Sequence, residues 1–434
     1  MPVEKVQPLG EVADLLSGGT PSKSTPAFWT GEIPWLTPKD MGNWTGTTEE
    51  AVSHSAIGNG TRLAPPEALF IAVRGMSLHN EIRIVRARKA IAFNQDIKAV
   101  VPREGIHPDY LFQVLVSKKP ELLGLVESAG HGTGRLPTDQ LLALEIPRFD
   151  QKAEMAIAEF IGALDDKIEL NRQMNETLEA MARAIFKSWF VDFDPVRAKM
   201  EGRDTGLADD VAALFPDAFD EDDVGPLPKG WTVSSIGQEV DVMGGNTPST
   251  RDADYWGGQF AFATPKDLSD LNAPLLLGTE RHLTEAGVNR VSSGLLPPGT
   301  VLMSSRAPIG YVAISSIPVC VNQGFAAMVC KRSIGPVYAY FWTLFSMEEI
   351  KGRANGSTFA EISKSTFREI KFVRPPESLS ETFEKLAAPL FDRISVNLHN
   401  SRSLSQTRDL LLPKLMSGEV NIKDAENLVG EAGA

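Results

Sequence analysis

The residues that could carry covalent or metal chemistry in this chain include six histidines, two cysteines and the carboxylates of Asp192 and Asp194. His54, His79, His107, His131, His282 and His399 stand at no metal-ligand interval and beside no carboxylate motif. Cys320 and Cys330 match no metal or redox spacing and are expected to face the interior of neighbouring strands as small apolar residues. Gly130-His131-Gly132-Thr133-Gly134 has the composition of a glycine-rich loop. No buried strand leads into it and no helix follows, so it reads as a surface loop. Asp192-Phe193-Asp194 sets two carboxylates at a helix end beside Trp189, a place better suited to an interaction surface than to acid–base work. The chain carries no P-loop, nucleophile elbow or methyl-donor motif. Neither cofactor nor metal is expected, and the chain reads as a binding protein rather than an enzyme.

Charge says what it could bind. The net charge of −13 argues at first against nucleic acid. Its distribution reverses that argument. Glu201 to Asp223 holds nine acids against one base, Arg203, a local charge of −8. Arg62 to Arg103 holds eight bases and three acids, and Arg281 to Arg332 holds five bases and one acid. Two locally basic segments on an acidic chain suit a polyanion held at two places, with ordinary solvated faces as the competing reading.

The elements that must position these segments come in duplicate. Gly18-Gly19-Thr20-Pro21-Ser22, Phe28-Trp29 and Thr37-Pro38-Lys39-Asp40 return as Gly245-Asn246-Thr247-Pro248-Ser249, Tyr255-Trp256 and Thr264-Pro265-Lys266-Asp267, at a constant offset of 227. Asn94-Gln95 returns as Asn322-Gln323 at 228. Short apolar runs such as Leu69-Phe70-Ile71-Ala72-Val73, broken by Gly and Pro, predict mostly β structure, with a helix near Tyr110 to Val116. Each half then ends in a helical rhythm. Ile157, Ile161, Leu164, Ile168, Asn171, Asn175, Leu178, Ala182, Ile185 and Trp189 alternate steps of four and three. Phe383, Ala387, Leu390, Ile394, Asn397, Ser401, Leu404, Arg408, Leu411 and Leu415 repeat them at a constant offset of 226. Asn171 and Asn397 on this seam would fix register at some loss of stability, or else face a groove for a partner.

The fold class expected is α+β: a tandem repeat of two β-rich domains, each followed by a long helix, the two helices pairing as an antiparallel coiled coil. The expected divisions are a first domain over 1–150, a central helix over 151–199 stopped near Pro195, and an acidic linker over 200–230. A second domain over 231–376, a helix over 377–419 and a polar, frayed tail over 420–434 complete the chain. No apolar run approaches the ~18 residues of a membrane span, and the opening residues form no signal peptide, which together suit a cytoplasmic protein.

The duplicated words, the run Ser305-Arg306-Ala307-Pro308-Ile309-Gly310, and Phe186-Lys187-Ser188-Trp189-Phe190-Val191-Asp192-Phe193-Asp194-Pro195 together resemble the DNA specificity subunit of type I restriction–modification enzymes. The resemblance spans essentially the whole chain. It implies that each β-rich domain is a target recognition domain reading one half of a split sequence in double-stranded DNA. It further implies that the helices separate the domains and dock two methyltransferase (modification) subunits, joined by nuclease/translocase (restriction) subunits, with no membrane involved. Two other readings stay open: a protein-only coiled-coil scaffold, and a recognition protein with its own methyltransferase or nuclease activity.

Reading DNA takes hydrogen-bonding side chains at base edges and Lys or Arg at phosphates. The candidates are Lys39, Arg74, Asn94 and Gln95 in the first domain and Lys266, Arg306, Asn322 and Gln323 in the second. Each has a structural alternative: a solvated turn for Lys39 and Lys266, a strand-end ion pair for Arg74 and Arg306, and loop-backbone satisfaction for the two Asn-Gln pairs. Features common to both halves fit scaffold or phosphate, because the half-sites themselves differ.

Overall fold

The computed structural model of the chain describes residues 3–129, 132–222, 225–331, 334–356 and 360–432. Gly130 and His131 of the glycine-rich run, Asp223 of the acidic stretch and Arg332 of the second basic segment lie outside the described residues. The chain divides into two compact units, Met1–Glu169 with Ser401–Ala434, and Leu170–Asn400.

In the first unit, strands Lys5–Pro8 and Glu145–Arg148 pair antiparallel and bring the two ends of a domain together. Between them lie two sheets. One runs Ala13–Ser17, Ile97–Pro102, Leu69–Ala72, Ile84–Arg86, all antiparallel neighbours. The other runs Glu50–Val52, Ile33–Leu36, Ile91–Phe93, Arg62–Ala64, with its middle pair parallel. Leu69-Phe70-Ile71 is wholly buried because a central strand with packed faces must be apolar on both. The helix Pro108–Ser117 covers the region with Tyr110, Leu111, Val114 and Leu115 turned inward.

The second unit repeats the plan. Thr232–Ser235 pairs with Lys371–Arg374, and a five-stranded sheet runs Val240–Met243, Phe325–Cys330, Val301–Ser305, Ile309–Ser315, Leu275–Leu276. A three-stranded sheet runs Arg281–Leu283, Trp256–Ala263, Val319–Val321, again with one parallel pair. Trp35 opposite Ala92 in the first unit becomes Phe262 opposite Cys320 in the second. The two cysteines therefore sit on successive strands of different sheets, and burial pushes both thiols up from their ordinary range.

The long helices are Gln151–Phe190, of 40 residues, and Glu377–Ser417, of 41. Asp150 starts the first by accepting a hydrogen bond from Ala153 N at 2.9 Å. They run antiparallel: Asp165 meets Arg408 at 2.6 Å, the amides of Asn171 and Asn175 meet Asn397, and Phe186 meets Phe383. Asn171, Asn175 and Asn397 are all buried. Asn397 Nδ2 donates to Asn175 Oδ1 at 2.8 Å, while Asn171 Nδ2 points at the Asn397 carbonyl at 3.5 Å. Among the described residues Asn397 Oδ1 is buried there without a hydrogen-bond partner, and a polar layer within an apolar seam costs stability.

Seam positions Leu164, Ile394 and Leu411 are buried, whereas Ile168, Leu178, Ile185, Leu390 and Leu404 are half-buried. Phe186 and Phe391, each one place along from its seam position, go deeper than Ile185 and Leu390. Their larger rings reach the aromatic helix Pro336–Phe345.

Three segments differ from expectation. The first long helix ends at Phe190, and Pro195 opens a further helix, Asp194–Met200, after Phe193 turns at φ 55°. Proline costs nothing in a first turn, where its missing N–H has no partner to lose. The acidic stretch is not a free linker: Phe215 and Leu227 enter the second unit's core, and Phe219–Asp222 pairs with Gly225–Pro228. The tail is a helix, Ile422–Ala432, with Ala425 buried in the first unit's core and Val420 and Ile422 packed on it. Among the described residues no helix is long and apolar enough to cross a membrane.

Candidate nucleic-acid interface

The repeated words build the same frame twice. Gly18 and Gly245 are glycine because a Cβ there would lie 2.3 Å from Phe93 O and 1.6 Å from Val321 O respectively. Two residues on, Thr20 Oγ1 donates to Gln95 Oε1 at 2.6 Å and Thr247 Oγ1 to Gln323 Oε1 at 2.9 Å. Trp29 Nε1 donates to Ser22 O at 3.2 Å and Trp256 Nε1 to Ser249 O at 3.0 Å. Each indole meets a strand ring edge-on, Trp35 at 5.1 Å and Phe262 at 5.3 Å.

Thr-Pro-Lys-Asp is likewise a joint. Asp40 accepts from Thr37 N at 2.8 Å, Thr37 Oγ1 at 2.6 Å and Glu49 N at 2.9 Å. Asp267 accepts from Thr264 N, Thr264 Oγ1 and Glu280 N at 2.8, 2.7 and 2.8 Å. The joint delivers a glutamate to the lysine: Lys39 Nζ lies 2.7 Å from Glu49 and Lys266 Nζ 2.8 Å from Glu280. The hydrogen bond to that glutamate, then its charge, raises the pKa of each lysine. Both ammonium groups are solvent-exposed and free to exchange partners. Asp40→Ala leaves three donors without their charged acceptor, so it is expected to destabilise the first unit by about 2–3 kcal/mol. Urea unfolding measures this, and Asp40→Asn, which keeps one acceptor oxygen, should lose less.

The Asn-Gln pairs divide between inside and outside. Asn94 is 7% exposed, and its Oδ1 accepts from Asp96 N at 3.0 Å to hold the turn. Asn322 Oδ1 holds the equivalent turn by accepting from Gly324 N at 2.8 Å. Gln95 is exposed at its turn, and Gln323 shares that turn position.

Arg74 and Arg306 occupy matching strand ends, and two hydrogen bonds establish the match. Val73 N donates to Asp96 O at 2.8 Å and Leu136 N to Val73 O at 2.9 Å. Ser305 N donates to Gly324 O at 2.8 Å and Ile362 N to Ser305 O at 3.0 Å. The residue across from Arg74 is thus Arg135, and the residue across from Arg306 is Glu361. Arg306 lies 3.9 Å from Glu361. Among the described residues neither Arg74 nor Arg135 has a carboxylate within ion-pairing distance.

Three further groups surround this place in the first unit. Lys98 Nζ donates to Ser17 Oγ at 2.6 Å, and burial, then the Arg135 charge, lowers its pKa. Half-burial raises the Asp96 pKa against the pull of the Arg74 charge. Glu127 is the other cross-strand neighbour of Arg135, and its carboxylate takes a hydrogen bond from Gln140 Nε2 at 3.4 Å. Sequence reasoning passes over Arg135, whose signal is a difference between the repeats: Arg135-Leu136 stands where the second copy, at an offset of 226, has Glu361-Ile362.

Of the histidines, His107 has its Nδ1 3.8 Å from Asp109. Asp192 pairs with Lys187, while Asp194 opens the next helix. Among the described residues no group of three or more His, Cys, Asp or Glu is placed to hold a metal ion.

Comparison with known proteins agrees with this architecture. The HindI specificity subunit of a Haemophilus influenzae type I restriction enzyme is 28% identical over 420 residues, covering 85% of this chain and 91% of its own. The MjaIX specificity subunit from Methanocaldococcus jannaschii is 25% identical, covering 97% and 94%. The crystal structure of a type I restriction–modification system S subunit from M. genitalium shares the fold, with a TM-score of 0.56 at 16% identity and 95% of both chains covered. The model of the type I restriction modification DNA specificity domain matches residues 3–180 and again 228–382, and this chain belongs to that family.

Proposed function

We propose that this chain is the non-catalytic, sequence-reading subunit of a cytoplasmic type I restriction–modification complex. Each β-rich domain reads one half of a bipartite duplex target, and the helices fix the interval between the halves. The helices dock two methyltransferase subunits, and restriction subunits join that core. Arg74, Gln95, Arg306 and Gln323 reach the DNA, with Lys39 and Lys266 at phosphates, and Asn94 and Asn322 support the turns beneath them.

One observation carries the reading: two domains with the same frame bear different residues at the same exposed places. Trp, Asp and Gly words repeat where the frame needs them, while Arg135 faces one strand end and Glu361 the other. A frame used twice with altered surface chemistry is what reading two different half-sites requires. The protein-only scaffold and the self-sufficient enzyme are not favoured by any feature of these surfaces.

The test uses the chain assembled with its methyltransferase partner. Duplex affinity is expected to fall steeply with salt, because phosphate neutralisation releases counterions. The isolated chain is expected to retain no labelled methyl donor. Methyl-donor binding by the chain alone, or salt-independent duplex binding, would remove this reading.

A further inference from the structure

We propose that the first recognition domain carries a DNA-backbone clamp, built from Arg74, Arg135 and Lys98, that the second domain lacks, so the two domains grip the duplex unequally. The inference rests on the reading above, that both domains bind DNA.

One strand pairing in the first unit works against the fold. Arg74 and Arg135 are cross-strand partners in an antiparallel pair, and like charges directly opposite one another destabilise a sheet. The other repeat shows the ordinary solution at the same place, Arg306 opposite Glu361. The equivalence is fixed by the shared backbone hydrogen bonds through Val73 and Ser305. A position that breaks a local rule in one copy and obeys it in the other points to function in the first.

The neighbourhoods differ in acids as well: Asp96 and Glu127 of the first copy stand where the second has Gly324 and Asn355. Each repeat has an ammonium group beside this strand end. Lys98 holds Ser17 in the first; in the second, Lys364 Nζ lies so close over Gly244 that a Cβ there would meet it at 2.5 Å. Gly244 follows Ser17 at the repeat's own offset of 227, so the two sites correspond. At the residue facing the strand-end arginine, the first copy has a guanidinium, Arg135, and the second a carboxylate, Glu361. Asp96 and Glu127 bring negative charge to the first pair, and neither forms an ion pair with it. Two exposed arginines on facing strand positions match consecutive phosphates of one strand in charge and in hydrogen-bond donors.

The experiment uses the complex assembled with its methyltransferase partner and two duplexes, one bearing the sequence methylated in cells and one with that sequence scrambled. Arg135→Ala is expected to weaken both by similar factors, on the order of tenfold at low salt, and to reduce the slope of log affinity against log salt by about 0.9. Arg135→Lys keeps the charge and should retain the slope. The thermal midpoint of Arg135→Ala should not fall, since its removal relieves repulsion, whereas a merely structural arginine would lower it. A wild-type slope in Arg135→Ala, with the parent complex still binding salt-dependently, would overturn the clamp and leave the DNA-binding reading standing. Relaxed discrimination at one base position with an unchanged slope would equally overturn it, in favour of a base contact. Failure of the parent complex to bind would instead strike the reading beneath it.

Discussion

Exchanging residues 232–374 for the matching domain of another family member should change one half of the methylated sequence completely and leave the other half as it was. The cut points follow from the fold. Thr232 lies opposite Arg374 and Ser235 opposite Lys371, so the domain enters and leaves through one antiparallel ladder. Moving both strands together keeps that ladder intact. It also keeps the buried Glu239 with its partners, Ser234 at 2.6 Å and Arg374 at 3.7 Å. Splitting them would strand a buried carboxylate, a change that costs several kcal/mol when a partner is lost. Methylome sequencing of cells carrying the hybrid gives the answer. A shift in both halves of the target would show that the domains do not read independently.

The largest loss of stability is expected from Phe186→Ala. Phe186 is 2% exposed, and its ring lies within 5.0–5.7 Å of the rings of Phe190, Tyr338, Phe341, Phe345 and Phe383. It joins both long helices to the helix Pro336–Phe345, so truncation leaves a cavity with several walls and no single element free to collapse into it. Such a change costs about 3–5 kcal/mol, against a total stability of roughly 5–15 kcal/mol for a domain. Because the chain has two units, unfolding should be followed with a probe in each. The transition of the second unit is expected to move to lower urea while that of the first stays near its place. Phe186→Leu should lose much less. A shared, equal shift of both transitions would show that the aromatic cluster does not act locally.

The duplication is legible in the sequence because frame residues cannot drift: glycines pressed on a carbonyl, an aspartate with three donors and a tryptophan with a fixed acceptor leave words at a constant offset. The helices are legible from their rhythm, though the first begins a turn and a half before its seam pattern does. Gln151 to Ala156 carry little of that pattern, and the start is marked instead by the capping Asp150. The tail helix escapes sequence reasoning because its helical spacing, Ile422, Ala425, Leu428 and Val429, lasts only about two turns among polar residues. In the acidic stretch, composition hides Phe215 and Leu227, each a buried residue among carboxylates. Asn94 and Gln95 look alike in sequence, and only the turn decides which amide points inward. Arg135 lies far along the chain from Arg74, and only the strand register brings them together.

The first unit draws its core from both ends of the chain. Leu411, Leu412, Leu415, Met416 and Ala425 are buried with residues from Leu9 to Leu164. On the ribosome, that core waits while all of Leu170–Asn400 is made, roughly ten to fifty seconds at ~5–20 residues per second. The second unit, drawn from one continuous segment, has no such delay. The domain translated first is therefore completed last, and until then the part of its core that these five residues close is the apolar surface a chaperone would meet.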